Sequence, residues 1–561
     1  MWRQARRQLA LAYWNAAEAL LQLVGRRQPY GILKLEIAGD LAEQPQEPRL
    51  LGWPQRSHDD FFALLAVLRW AREDPALRAV FVRCGDLRAG WAKIQELRHS
   101  LGALRAAGKT VWVYAPALGL PEYVLASAAE RICLAPAGTL DIAGLSSEVT
   151  FVTGTLEKLG VRAELVQMGK YKSAAESITR TEMSAAHREM VDSLLQDLYE
   201  QVVDAVAEGR RLDRQEVATL LDRGPFVARE AADACLVDAL LYEDEAEDRL
   251  RAQCADAAVI ERPDYSARRS RAVRREVLRR NRSSIAVLHL TGTVKMGESL
   301  AGPEPASATG AAAVTRDLKT LRERDDIAAV VLRVSSPGGS GLASDLIWHE
   351  VVRTRQRKPV VVSLGDVAAS GGYFVSVAGK PVIAEGATIT GSIGVLAGKA
   401  LLRGLYDQLG VTKQVVTRGR HAALHSDYVP LGEEERQRLQ AEAEFFYADF
   451  VQKVASGREL TVAAVDAAAQ GRVWTGRQAQ ALGLVDALGG FELALEEAKV
   501  LAHMARDEMV AVERYPKARR LWKVSLNFNP AQARAASVGP WLRFLASERL
   551  WAVLPFRLRF Y

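Results

Sequence analysis

Apolar and polar residues alternate along the first half of the chain in a way that predicts strands and helices in turn. Residues 33–37 alternate with a period of two, which is typical of a strand, and residues 61–72 have the period of an amphipathic helix. The uninterrupted apolar run at 79–82 predicts a strand buried on both faces. Three further elements follow in the same rhythm: a helix at 91–107, a strand at 110–114 and a helix at 123–129. This alternation predicts a mainly parallel sheet covered by helices.

A second copy of the pattern begins about 250 residues later. Residues 79–83 (AVFVR) correspond to 329–333 (AVVLR), and residues 159–161 (LGV) recur unchanged at 409–411. The segment LVDAL occurs at 236–240 and again after a shift of 248. Because several separate segments keep one register, the chain contains two related domains and is not a short-repeat solenoid. The predicted fold is therefore α/β, with two tandem domains that have mainly parallel sheets and flanking helices.

The chain outside the two copies has a different composition. Residues 1–28 place apolar side chains at helical spacing, but their longest clean apolar run is far shorter than the roughly 20 residues that span a bilayer. This pattern fits a helix in a membrane interface and a helix packed on its own domain equally well. Residues 262–282 hold nine arginines and two acids, which favours a solvated helix or linker over contact with anionic lipid. The predicted division is an amphipathic helix at 1–28, a first domain at 29–261, an arginine-rich linker at 262–283, a second domain at 284–500 and a C-terminal segment at 501–561.

The net charge of +6 is concentrated near the C-terminus. Residues 515–561 carry nine basic residues and one acid, interleaved with Trp522, Trp541 and Trp551. Basic and aromatic residues together suit a membrane interface, and packing against a neighbouring subunit explains them equally well. Because the rest of the chain is close to neutral, no nucleic-acid partner is expected. The four cysteines and eight histidines show no CxxC or HExxH spacing, so neither a metal nor a cofactor is expected.

A turn of small residues in the second copy is the candidate for chemistry. The apolar run at 359–364 predicts a strand, and Ala-Ala-Ser-Gly-Gly follows it at 368–372, ahead of a helical pattern. Small neighbours leave the Oγ of Ser370 open, and glycines allow backbone N–H groups to approach an oxyanion. Taken alone, such a sequence is more often a tight packing turn than a nucleophile.

Comparison of the two copies shows that the second is specialised at this turn. A shift of 250 aligns Ser370 with Leu120. In the first copy, other residues also replace the glycines at 338, 339, 371 and 372: Arg88, Ala89, Pro121 and Glu122. The first copy therefore lacks the candidate nucleophile and both glycine turns.

A serine nucleophile needs a base, and the chain shows neither a histidine triad pattern nor a GxSxG elbow. A lysine can be the base when burial lowers its pKa from about 10.4, because only the neutral amine accepts a proton. The first copy offers Lys170, which aligns with Arg420, and Lys172, which aligns with Ala422. Lys172 thus has no basic counterpart in the second copy, and Ser370 has no counterpart in the first. This complementarity predicts one site assembled across both domains.

Five motifs, in order, resemble those of peptidase family S49, in the long duplicated form of the signal peptide peptidase A (protease IV) group. They are Tyr-Lys-Ser-Ala at 171–174, Ser-Pro-Gly-Gly at 336–339, Ala-Ala-Ser-Gly-Gly-Tyr at 368–373, Thr-Gly-Ser-Ile-Gly at 390–394 and a longer motif from Gly-Arg-Val-Trp-Thr-Gly to Gly-Leu-Val-Asp at 471–486. The resemblance covers roughly residues 30–500. It implies ClpP/crotonase-like domains and a Ser–Lys dyad whose members come from different copies.

The resemblance also implies roles for individual residues. Ser370 is similar to the family's nucleophile, and Lys172 is similar to its general base. The backbone N–H groups of Gly339 and Gly371 would form the oxyanion hole, in which one donor is typically worth roughly 2.7–4 kcal/mol. Ser392 would support the site by orienting the lysine, although on its own it is also consistent with a structural turn serine.

By the same resemblance, the protein is expected to be a serine endopeptidase that degrades cleaved signal peptides through an acyl-enzyme. It is expected at the bacterial cytoplasmic membrane, peripherally or by an N-terminal anchor on either face, and as a homotetramer. The first copy departs from the family because it lacks the glycine turn expected around residues 85–90. Two other hypotheses stay open: a crotonase-like acyl-CoA enzyme, which also uses Gly-Gly oxyanion turns, and a catalytically inactive membrane scaffold.

Overall fold

The computed structural model describes residues 30–43, 59–280, 283–299, 308–517 and 550–553. The amphipathic helix predicted at 1–28 lies outside these residues, as does most of the basic, aromatic stretch after residue 517. Within the described ranges, no helix has both the length and the apolar composition needed to span a membrane.

The first half alternates strands with helices, as the sequence pattern predicts. Its strands are β1 (Ile32–Ala42), β2 (Asp59–Asp60), β3 (Ala79–Arg88), β4 (Thr110–Ala115), β5 (Leu118–Gly119), β6 (Arg131–Leu134), β7 (Thr139–Asp141), β8 (Arg162–Met168), β9 (Phe226–Val227), β10 (Ala239–Leu240) and β11 (Val259–Glu261). Its helices are α1 (Phe61–Glu73), α2 (Trp91–Ala106), α3 (Leu120–Ala126), α4 (Thr153–Lys158), α5 (Glu176–Thr179), α6 (Ala185–Arg210), α7 (Arg214–Arg223), α8 (Ala228–Asp233), α9 (Glu243–Gln253) and α10 (Arg262–Arg280).

The first sheet has the strand order β10-β6-β4-β3-β1-β11, and these neighbours run parallel. Residues 79–82 of β3 are fully buried because helices cover the sheet on both faces. The parallel α/β architecture expected from the sequence is confirmed. One helix is displaced from its expected place: α3 begins at Leu120 and ends at Ala126, whereas the pattern predicted residues 123–129. Pro121 occupies its first turn, where the missing N–H has no helical partner to lose.

The second half repeats this order of elements. Its strands are β12 (Ser284–Thr291), β13 (Thr293–Lys295), β14 (Ala308–Gly310), β15 (Ile327–Ser336), β16 (Gly338–Ser340), β17 (Val360–Ala369), β18 (Val382–Ala384), β19 (Ile389–Gly391), β20 (Val395–Leu401), β21 (Val473–Thr475), β22 (Ala487–Leu488), β23 (Ala511–Tyr515) and β24 (Leu550–Val553). Its helices are α11 (Ala311–Glu323), α12 (Gly341–Arg355), α13 (Gly371–Ser376), α14 (Arg403–Gln408), α15 (Glu433–Arg458), α16 (Val462–Ala468), α17 (Gly476–Ala481) and α18 (Phe491–Leu501).

The second sheet has the order β21-β19-β17-β15-β12-β23; β18 also pairs with β17, and β22 pairs with β18. Adjacent strands in this order run parallel, except that β19 and β21 pair antiparallel. The duplication extends to single hydrogen bonds: Tyr123 donates to the carbonyl of Leu236 at 2.9 Å, and Tyr373 donates to that of Leu484 at 2.7 Å. Tyr123 and Tyr373 are therefore equivalent positions, and the shift of 250 residues between the copies holds at the turn that carries Ser370.

Two stretches predicted to lie outside the domains, the start of the C-terminal segment and the arginine-rich linker, pack onto the two halves. β23 lies in the second sheet, with Ser284 opposite Ala511 and Leu288 opposite Tyr515, so this sheet extends beyond residue 500. The arginine-rich stretch forms the helix α10, and its buried Tyr265 donates a hydrogen bond to Asp74 at 3.3 Å.

A third sheet joins the two halves in the order β14-β13-β16-β24-β20-β8. β8 of the first half pairs antiparallel with β20 of the second, from Met168 opposite Val395 to Arg162 opposite Leu401. Because β8 leads directly to Lys172, this pairing carries a segment of the first half to the turn that holds Ser370.

Candidate active site

Ser370 lies at a sharp turn between β17 and α13. Its backbone has φ 54° and ψ −117°, a conformation that costs a non-glycine residue of order 1–3 kcal/mol. Two hydrogen bonds hold it there: Ser370 N donates to Gly391 O at 2.7 Å, and Phe374 N donates to Ser370 O at 2.8 Å. In nucleophile elbows, strain of this kind at a strand-to-helix turn sets the direction of the serine side chain.

Lys172 reaches this serine from the other half of the chain. Its Nζ lies 2.7 Å from Ser370 Oγ, and both side chains are fully buried. The same nitrogen lies 2.9 Å from the carbonyl oxygen of Ser392 and 2.9 Å from its Oγ. The structure thus brings together three of the residues that the sequence singled out.

Burial lowers the pKa of Lys172 well below its ordinary value. Within the described residues, Lys172 has no carboxylate partner in an ion pair that would hold it charged. An amine in this setting can be neutral near physiological pH, and a neutral amine can take a proton from a serine hydroxyl.

The segment of Lys172 is fixed by contacts with residues from the second half. Tyr171 N donates to Gln470 O at 2.7 Å, and the next residue, Gly471, is itself held by a hydrogen bond from its N to Ile393 O at 2.7 Å. Gly471 has φ 76°, and a Cβ on it would lie 2.5 Å from Lys172 N. Only glycine fits at this position, because a side chain would push the lysine segment away from the serine.

The glycine turn at β16 lies against the first residues of α13. Gly339 has φ 155°, and a Cβ on it would lie 2.0 Å from Val294 O. A Cβ on Gly371 would lie 3.2 Å from Gly339 N and 2.6 Å from Ser344 Oγ. The two candidate oxyanion donors are therefore neighbours, on the strand and helix that meet at Ser370.

The corresponding turn of the first half is built differently. Glu122, the counterpart of Gly372, is buried and accepts a hydrogen bond from Leu87 N at 2.8 Å. Burial raises the pKa of this carboxyl group. With Leu120 at the serine position and a carboxyl group beside it, the first half has no nucleophile or oxyanion-binding turn at this place.

The sequence missed two glycines at this site. Gly471 was visible only as the start of a motif, and a Cβ on Gly394 would lie 3.1 Å from Lys172 Cδ. Nothing in the local pattern shows that either approaches a lysine more than 200 residues away. Among the described residues, no group of three or more His, Cys, Asp or Glu side chains could hold a metal ion.

The two halves each match the sequence profile of Peptidase family S49, at residues 103–256 and 353–505. The chloroplastic serine protease SPPA of Arabidopsis thaliana is 32% identical over 79% of this chain and 66% of its own length. Protease 4 of Salmonella typhi is 30% identical over 84% of this chain and 79% of its own. Protease 4 of Haemophilus influenzae is 30% identical over 80% of this chain and 74% of its own. The chain therefore belongs to peptidase family S49, a serine protease family, in its duplicated form.

Two solved structures share parts of the fold at low similarity. A ClpP1 mutant from Listeria monocytogenes has a TM-score of 0.25 and 13% identity over 37% of this chain and 94% of its own. A mutant of the membrane-bound, stomatin-specific protease 1510-N has a TM-score of 0.28 and 10% identity over 42% of this chain and 99% of its own. At these scores neither structure adds to the assignment.

Proposed function

We propose that the protein is a serine endopeptidase in which Ser370 is the nucleophile and Lys172 is the general base. The observation that carries this proposal is the distance of 2.7 Å between Lys172 Nζ and Ser370 Oγ. The lowered pKa of Lys172 supports it further, because the base must be neutral before the reaction starts.

The reaction begins when neutral Lys172 takes the hydroxyl proton of Ser370 and Oγ attacks the peptide carbonyl carbon. The backbone N–H groups of Gly339 and Gly371 stabilise the oxyanion that forms. The ammonium of Lys172 then donates its proton to the leaving amine, the C–N bond breaks, and an ester remains on Ser370. A water molecule, deprotonated by Lys172, hydrolyses this ester and restores the free serine.

Ser392 acts in this cycle through its contact with the amine of Lys172, and it does not contact the substrate. Its two oxygens accept hydrogen bonds from Lys172 Nζ, which fixes the direction of the amine relative to Ser370. It is a positioning residue in this proposal.

The proposed substrates are cleaved signal peptides and other unfolded peptides at the bacterial cytoplasmic membrane. A relative from Enterococcus faecium named as a putative signal peptide peptidase SppA supports this substrate class, at 36% identity over 32% of this chain and 53% of its own. Contact of the terminal segments with the membrane and assembly into a homotetramer belong to the same proposal. So does the division into a lysine-carrying domain at 29–261 and a serine-carrying domain predicted at 284–500, to which β23 adds a strand beyond residue 500.

Hydrolysis of a fluorogenic peptide and of casein tests the proposal. Ser370→Ala and Lys172→Ala should each lower the rate by roughly 10³-fold or more, because the two side chains act as a unit. The matched controls are Ser270→Ala and Lys170→Ala, which change an exposed serine and an exposed lysine. The controls should keep the wild-type rate.

The same variants separate the alternatives. A fluorophosphonate should label Ser370 in the wild type, and mass spectrometry should find the adduct on the peptide containing residue 370. A crotonase-like acyl-CoA enzyme would not need the serine and lysine pair and would show no such adduct. A membrane scaffold would retain its function in both alanine variants.

A further inference from the structure

The third sheet contains a strand from the C-terminal segment of the chain, placed between two strands of the candidate site. β24 pairs antiparallel with β16, with Gly339 opposite Ala552 and Ser340 opposite Trp551. Its other edge pairs antiparallel with β20, with Leu396 opposite Trp551. β24 therefore fills the gap between the strand of the candidate oxyanion turn and the strand that follows Ser392.

The end of β24 that carries Val553 is the end nearest the catalytic residues. Val553 is opposite Gly338, and a Cβ on Gly371 would lie 3.3 Å from Gly338 Cα. On the other edge, β24 runs from Leu550, opposite Ala397, toward the start of β20. The start of β20 follows Gly394, and a Cβ on this glycine would lie 3.1 Å from Lys172 Cδ. The chain thus runs toward the dyad as its residue numbers increase.

A peptide substrate of a serine protease needs this same direction. The residues before the scissile bond run toward the nucleophile, and their carbonyl ends on it. An extended peptide can bind between two free strand edges through main-chain hydrogen bonds alone, without a fixed sequence. β24 has the position and direction of such a peptide.

The candidate nucleophile is closed off in this arrangement. Ser370 and Lys172 are fully buried, and all three residues of β16 are buried as well. A substrate can reach Ser370 only after part of the protein moves. β24 is four residues long and enters the sheet from outside both repeats, so it is the strand that can leave while the other pairings stay intact.

We propose that the strand Leu550–Val553 occupies the acyl side of the substrate cleft and competes with peptide substrates for it. The inference rests on the proposed protease function and adds the form of the ligand: an extended peptide with about four residues before the scissile bond. Because the strand belongs to the same chain, its effective concentration at the cleft is on the order of 1 mM. A strand with an intrinsic Kd of ~0.1 mM would then raise the apparent KM about tenfold.

Removal of the strand is the first test. A chain ending at Arg549 should show a KM about tenfold lower than the full chain for a fluorogenic peptide with four residues before the cleaved bond, with kcat unchanged. A synthetic peptide of residues 546–561 should inhibit the shortened chain competitively. A shortened chain with a higher KM or a lower kcat would overturn the proposal, because the strand would then only complete the sheet.

A single substitution covers the case in which the shortened chain does not fold. Ala552→Pro removes one backbone N–H from a strand that is paired on both edges, a place where proline is excluded. It should lower KM at least threefold, and Ala536→Pro, which lies before the strand, should leave KM unchanged. An unchanged KM in Ala552→Pro would overturn the proposal.

Peptide binding separates this inference from the protease function. The labelled 546–561 peptide should bind the shortened chain carrying Ser370→Ala at least tenfold more tightly than the full chain carrying Ser370→Ala, as measured by fluorescence anisotropy. If this difference appears and neither the full chain nor the shortened chain hydrolyses peptides, the proposal that Leu550–Val553 occupies the cleft is supported and the proposed protease function is wrong. If hydrolysis depends on Ser370 but the strand affects neither KM nor peptide binding, the function stands and the occupied cleft fails.

Discussion

Ser392 offers two oxygens to Lys172, each 2.9 Å from Nζ. A neutral amine has two N–H groups and one lone pair, so both N–H groups can be used on Ser392. The lone pair then faces Ser370 Oγ, 2.7 Å away. The arrangement therefore suits a neutral base that receives a proton from the serine.

Ser392→Ala removes one of the two oxygens that orient the amine. Loss of a hydrogen bond to a group that becomes charged costs about 1.5–3 kcal/mol, so kcat should fall by roughly 10–100-fold while KM changes little. The hydrogen bond stabilises the ammonium more than the amine, so its loss lowers the pKa of Lys172 further. The acid limb of the profile of kcat/KM against pH should move to lower pH. A limb that stays in place would contradict the orienting role.

Lys172→Met should make the folded protein more stable near neutral pH. Because burial lowers the pKa of Lys172 well below 10.5, the unfolded chain binds more protons than the folded chain between the two pKa values. The free energy of unfolding therefore rises with pH between the two pKa values. Below the pKa of the unfolded chain, the buried lysine destabilises the folded protein. Thermal melts should give a higher Tm for Lys172→Met than for wild type, with a gap that narrows as the pH approaches 10.5. Lys170→Met, at an exposed position, should show no gap.

Gly471→Ala should reduce activity by disturbing the lysine segment. Its Cβ would lie 2.5 Å from Lys172 N, so the segment must move, and a shift of about 1 Å at a catalytic group can cost about 10²-fold in rate. The matched control is Gly410→Ala, because Gly410 also has a positive φ, 68°, but has no atom within 4 Å of its added Cβ. The control carries the backbone strain alone and should keep its kcat. Equal losses of kcat in the two variants would show that strain, and not the contact with Lys172, is responsible.

Arg333→Met should destabilise the contact between the two halves. Arg333 is fully buried on β15, and its guanidinium lies 3.0 Å from Glu43 and 2.7 Å from Glu96, both in the first half. Removal of one member of a buried ionic group typically costs about 3–5 kcal/mol, because the buried carboxyl groups lose their guanidinium partner. Urea unfolding should show a loss of this size. Arg83→Met breaks half-exposed ion pairs and should cost less than about 1 kcal/mol.

The sequence predicted the alternating elements from the period of their apolar residues. It predicted the serine and the lysine because the chain contains its own comparison: the pairs Ser370/Leu120 and Lys172/Ala422 show where the halves differ. The hydrogen bonds of Tyr123 and Tyr373 confirm that the shift of 250 used for the comparison is the structural one.

The sequence did not predict contacts that depend on distant partners. Gly471 and Gly394 look like ordinary glycines until the chain brings Lys172 beside them. Leu550–Val553 belongs to the basic, aromatic stretch for which a membrane or subunit contact was expected, and its pairing with the edges of β16 and β20 makes it a strand. Strand pairing is set by the available edges, which a local pattern does not contain.

The carboxyl group of Glu122 has a consequence for stoichiometry. The buried turn around it gives the first half neither the serine nor the glycine turn of the second, although both halves descend from one pattern. If Ser370 is the nucleophile as proposed, the chain has one reactive centre although it contains two copies of the domain. An active-site titration should consume one equivalent of inhibitor for each chain of 561 residues, and not two.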